Sequence, residues 1–82
     1  MQDLISASQL RAARAVLCLS VAFVAEKTTI GTATLKRYEA TDGVPATRKG
    51  HLGTLKSFYQ DAGIEFIGTP DDNPGIRWRG RP

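Results

Sequence analysis

Hydrophobic positions along this chain keep the period of a helix as far as Ala62 and then switch to the period of a strand. Ser6 is a good helix start, and Gln9 three residues on completes a capping box with it. Ile5 and Leu10 stand at the two positions of a hydrophobic staple across that start. A helix is predicted from there to about residue 17, with Leu10, Ala13 and Leu17 on its buried face and Val16 nearby. Arg11 and Arg14 fall off that stripe and are expected in solvent. Ser20 opens a short second helix over residues 21–27, where Leu19 and Val24 repeat the staple. Val24 and Ala25 are expected inward, which turns Val21, Ala22 and Phe23 partly outward.

Thr28-Thr29-Ile30-Gly31 reads as a tight turn into a third helix over residues 32–40, with Ile30, Leu35 and Tyr38 as its apolar contacts. Asp42-Gly43-Val44-Pro45 breaks that helix, because glycine is permissive and proline forbids continuation. A fourth helix is predicted over residues 49–62, with Thr47 as its cap and Leu52, Leu55, Phe58 and Tyr59 at helical spacing. Gly63 suits its C-terminal stop. Beyond it, Ile64-Glu65-Phe66-Ile67 and Ile76-Arg77-Trp78-Arg79 alternate as strands around the turn-rich G-T-P-D-D-N-P-G. A β-hairpin over residues 64–79 is predicted, with a loop longer than two residues. Ile64, Phe66, Ile76 and Trp78 would share one face, and Glu65 would pair with Arg77 or Arg79 on the other. The expected fold is mainly α: one domain over residues 1–82, four helices within residues 6–62, then a C-terminal β-hairpin.

Size and charge narrow the picture only a little. A chain of 82 residues makes one small domain, which buries only about 60% of its unfolded surface and gains from a partner subunit. No apolar run approaches the roughly 20 residues that span a bilayer. The single cysteine, Cys18, excludes an internal disulfide and a cysteine metal cluster, fits a reducing cytoplasm, and is expected to be a small buried filler. The net charge of +3 leans mildly toward nucleic acid.

Chemistry is concentrated in one stretch, Leu19 to Ala40. Two short helices joined by a tight turn, the second carrying Thr32, Thr34, Lys36 and Arg37 outward, have the layout of a helix-turn-helix. Lys27, Arg48 and Lys49 flank it and suit phosphate contacts. His51, the only histidine, has no partner at a catalytic spacing and is expected on the helix surface. Asp71 and Asp72 lack the further oxygens of a calcium loop. No nucleophile–base pair, metal set or cofactor motif is visible, so no enzyme is expected. Val21 and Phe23 are either core residues of a rotated second helix or an apolar contact for a partner chain. Arg77, Arg79 and Arg81 are either a DNA-facing tail or the charged protection of a hairpin edge.

The string Q-L-R-A-A-R-A-V-L-C-L-S, Gln9 to Ser20, resembles the opening of short Cro/CI-type repressors, the XRE family of bacterial and phage transcription regulators. The later Ala62-Gly63-Ile64-Glu65-Phe66-Ile67 and Gly75-Ile76-Arg77-Trp78-Arg79 are similar to the ending of a compact bacterial subgroup. The resemblance covers nearly the whole chain and implies a lambda-repressor-like helix-turn-helix domain. It implies that the third helix reads the major groove, with Thr32, Ala33 and Arg37 toward base edges and Thr34 and Lys36 toward phosphates. It also implies that Glu39 is structural. The chain departs from the family pattern where Thr29 stands for a glycine, Gly31 for a Ser or Thr cap, and Ser20-Val21-Ala22-Phe23-Val24 for S-Q-E-E-L. Val21 thus replaces a glutamine that commonly touches phosphate.

The expected function is sequence-specific binding of double-stranded DNA by a small cytoplasmic transcription regulator, a repressor, without cofactor or metal. One recognition helix per chain implies a homodimer on a palindromic site. A lone hairpin is marginal in water and its edges invite pairing, so Phe66, Ile76 and Trp78 are the expected dimer contact. The alternative is a protein-interaction module of the same fold, docking a partner through Val21 and Phe23.

Overall fold

The order of elements is four helices followed by two antiparallel strands, in a computed structural model that describes residues 4–80. Helix α1 (Ala7–Val16) starts on the capping box read from the sequence: Gln9 N–H donates to Ser6 Oγ, and Ser6 N–H donates to Gln9 Oε1. It ends in a left-handed turn at Cys18, φ 58°. Cys18 N–H donates to the Ala15 carbonyl and Leu19 N–H to that of Arg14, which satisfies two of the helix's last acceptors. That conformation turns Cys18 outward, so it is exposed rather than a buried filler. Val16 is exposed as well and Leu17 only half-buried, because the chain leaves the helix direction there.

Helix α2 (Val21–Thr28) is capped by Ser20, whose Oγ accepts from Phe23 N–H, and it turns by 104° from α1. Three residues, Thr29, Ile30 and Gly31, join it to helix α3 (Thr32–Ala40). Thr29 is left-handed at φ 57°, ψ 26°, and Ile30 is driven into the core. Helix α4 (His51–Asp61) begins two residues later than expected, after a left-handed Gly50 and not on Thr47. Gly63 ends it as expected, at φ 97°. A Cβ there would lie 2.8 Å from the Gly80 carbonyl, so only glycine lets the two ends of the hairpin meet.

Strands β1 (Ile64–Thr69) and β2 (Asp72–Trp78) pair in the register Ile64 with Trp78, Glu65 with Arg77, and Phe66 with Ile76. The expected apolar face is therefore correct, and Glu65 Oε1 accepts from both Arg77 and Arg79 at 3.3 and 3.2 Å. The loop is shorter than the sequence suggested: Thr69 pairs with Asp72, leaving a two-residue turn of Pro70 and Asp71. Pro74 has no N–H for the ladder, and the register shift between Ile67 and Thr69 absorbs it as a bulge. Gly68 is required there, since a Cβ would strike the Asn73 carbonyl oxygen at 2.1 Å.

One core holds these elements. Leu10 and Ala13 of α1, Val24 of α2, Leu35 and Tyr38 of α3, Leu55 and Tyr59 of α4, and Ile64 of β1 meet with Ile5 and Ile30. Burial of each large apolar side chain contributes about 1.5–3 kcal/mol. Gln9 ties the hairpin to this body: its Nε2 donates to the Ile67 carbonyl at 3.1 Å and the Gly75 carbonyl at 2.9 Å. No single helix among the described residues is long and apolar enough to cross a membrane.

Candidate nucleic-acid interface

Helix α3 presents Thr32, Ala33, Lys36 and Arg37 to solvent. Their spacing of one, three and one residues puts all four on one face of a 3.6-residue helix. The opposite face is fixed by burial of Leu35, Tyr38 and Glu39. Thr34 departs from the expected outward position. It is half-buried, and its Oγ1 lies 3.7 Å from where a Cβ on Gly31 would stand, so it turns back toward the start of its own helix.

The buried face of α3 holds a charge. Glu39 is only 8% exposed, and Arg14 of α1 grips its carboxylate through Nε and Nη2. Arg14 Nη1 also donates to the Leu19 carbonyl at 3.0 Å, and Arg11 donates to the Glu39 carbonyl. Arg14 is therefore a partly buried clamp and not a solvated arginine. Its hydrogen bonds to Glu39 raise its pKa above the ordinary value, against the lowering effect of burial. This arrangement agrees with the structural role implied for Glu39, and it ties α3 to α1.

The other basic candidates are exposed but differently held. Lys27 ends α2 and places its Nζ 5.4 Å from the centre of the Phe23 ring. Arg48 and Lys49 lie just before α4. Arg48 is brought to α3 through its backbone: its N–H donates to the Tyr38 hydroxyl at 3.1 Å. The same hydroxyl is 2.8 Å from His51 Nδ1. Arg37 lies 5.8 Å over the Tyr38 ring. Tyr38 thus meets Arg37 at its ring and the Arg48 backbone and His51 at its hydroxyl, with Lys49 between the last two in sequence. His51 is half-buried and partnered, not the free surface residue expected. Nothing in its local spacing announced this, because Tyr38 lies thirteen residues away.

The apolar candidates divide. Val21 is half-buried and packs against the core, while Phe23 stays 40% exposed. Phe66 and Ile76 are half-buried against the chain's own core, whereas Trp78 is 45% exposed. Arg77 and Arg79 share Glu65 on the hairpin's outer face, and Arg81 lies outside the described residues. Among the described residues no three His, Cys, Asp or Glu side chains gather as a metal site would require. No family model, curated protein or solved structure matches this chain.

Proposed function

We propose that this protein binds double-stranded DNA through α3, as a small helix-turn-helix transcription regulator of the Cro/CI type acting as a homodimeric repressor. The observation that carries the reading is the three-residue connection from α2 to α3, followed by a helix whose exposed face is Thr32, Ala33, Lys36 and Arg37. A helix held by its buried face on two others can enter a major groove with the remaining face. Arginine at Arg37 suits the two acceptors on the edge of guanine, and hydroxyls such as Thr32 suit several bases. Lys36, Arg48, Lys49 and Lys27 supply cations for the flanking phosphates. Thr34, being half-buried, contributes less than its sequence position suggested. Two copies would meet half-sites about 34–36 Å apart.

The exposure of Phe23 favours a second reading, a module that docks a partner protein through α2. Selection of bound sites from random duplexes, followed by a salt titration, separates the two. DNA binding gives an enriched symmetric motif and an affinity falling with salt by a slope of about −0.9 per phosphate neutralised. No enrichment and no salt-dependent binding would leave the docking module.

A further inference from the structure

The Tyr38 hydroxyl meets both the Arg48 backbone and the His51 ring. The Arg48 backbone N–H can only donate, so it occupies a lone pair of the hydroxyl oxygen. The hydroxyl keeps one proton to give, and His51 Nδ1, 2.8 Å away, is placed to accept it. A neutral imidazole that accepts at Nδ1 carries its proton on Nε2. The two rings meet edge-on, with centroids 5.9 Å apart. In that tautomer His51 has one nitrogen committed to α3 and one N–H donor on the other side of the ring. Arg48 and Lys49 stand exposed just before it, and Arg37 lies over the same Tyr38 ring.

We infer that His51 contacts the DNA backbone in the proposed interface, donating its Nε2–H to a phosphate oxygen, and that Tyr38 is the positioning residue that decides which nitrogen carries the proton. The inference rests on the DNA-binding reading above and extends that surface from α3 to the first turn of α4. A phosphate oxygen is the acceptor that fits, because exposed Arg48 and Lys49 precede His51 in the chain, Arg37 lies over the Tyr38 ring that His51 meets, and a hydrogen bond to an anion is stronger than one to a neutral group.

Two substitutions separate the nitrogens. An asparagine amide oxygen can stand where Nδ1 accepts, whereas a glutamine amide nitrogen reaches the position of Nε2. His51→Asn keeps a partner for Tyr38 and withdraws the outward donor; His51→Gln keeps the donor. Binding is read by fluorescence anisotropy on a random-sequence duplex of roughly 20 base pairs at low salt, with thermal melts to establish folding. His51→Asn is expected to bind about tenfold more weakly and His51→Gln within about threefold of the original chain. Neither substitution touches a lysine or arginine, whereas Lys49→Ala should lower the salt slope by about one unit. If His51→Asn binds as tightly as the original chain, or His51→Gln falls as far as His51→Asn, the donor role is overturned. If the original chain itself binds no duplex, the DNA reading fails and this inference goes with it, a result distinct from either of those.

Discussion

Arg14 and Glu39 join α1 to α3 through a two-pronged ion pair, Arg14 Nε reaching the carboxylate oxygens at 3.1 and 2.9 Å and Nη2 reaching Oε1 at 2.8 Å. Both groups are largely shielded, so either one left alone loses its partner without regaining full hydration. Glu39→Ala and Arg14→Met are each expected to lower stability by about 2–3 kcal/mol in urea denaturation. The double variant should lose at least about 1 kcal/mol less than the sum. Additive losses would mean that the two side chains act independently.

Thr29 pays a conformational cost in the turn between α2 and α3. It is a β-branched residue in the left-handed region, where glycine is the permissive choice. Thr29→Gly should raise stability by roughly 1 kcal/mol, somewhat reduced by the freer unfolded chain. Thr29→Asn should raise it less. A denaturant midpoint that falls for Thr29→Gly would show that the threonine side chain contributes more than its backbone strain costs.

Arg37 and Lys36 should behave differently on DNA. Arg37→Ala is expected to lose about 1–3 kcal/mol at a selected site and to relax preference at one base position. Lys36→Ala should weaken selected and random duplexes alike. Equal losses on both duplexes for Arg37→Ala would remove it from base reading.

Tyr59 sets an alkaline limit on stability. Burial, followed by the neighbouring Glu39 carboxylate, pushes its pKa up to about 12, against a smaller lowering by Arg14. The folded state thus holds the phenol proton that an unfolded chain releases near pH 10. Its contribution is complete below about pH 10 and is lost as pH rises toward 12, a total of roughly 2–3 kcal/mol. Urea midpoints measured from neutral to alkaline pH should fall more steeply for the original chain than for Tyr59→Phe. Parallel curves would show that Tyr59 ionises equally in both states.

If the proposed dimer forms through the hairpin, Trp78 is the residue left to meet a second copy, since Phe66 and Ile76 pack on their own chain. Trp78→Ser is expected to leave the melting temperature of dilute protein within a few degrees. In sedimentation it should shift the protein toward monomer. An unchanged dimer would move the contact to the helices.

Much of the fold is legible along the chain because its signals are local. The capping box of Ser6 and Gln9, the Ser20 cap, the stop at Gly63 and the shared face of Ile64, Phe66, Ile76 and Trp78 are set by neighbours within a turn or by the two-residue strand period. The same locality misled where distant partners decide. Two prolines made residues 68–75 look like an open loop, yet pairing with β1 and a bulge hold most of them in a strand. Cys18 continued an apolar pattern, but the helix had already turned away from the core.

The candidate face on α3 divides along the same line. Helical periodicity alone turned Thr32, Lys36 and Arg37 outward, because Leu35 and Tyr38 had to turn in. Thr34, Arg14 and His51 could not be placed that way. Their positions depend on Gly31, Glu39 and Tyr38, and the last two of these lie on other elements. Hydrophobic period and capping act over about four residues, so the sequence by itself determined which helices and strands form and which faces they bury. Ion pairs and side-chain hydrogen bonds act across packed elements, so only the tertiary structure decided how α3 is held and which polar groups gather beside it.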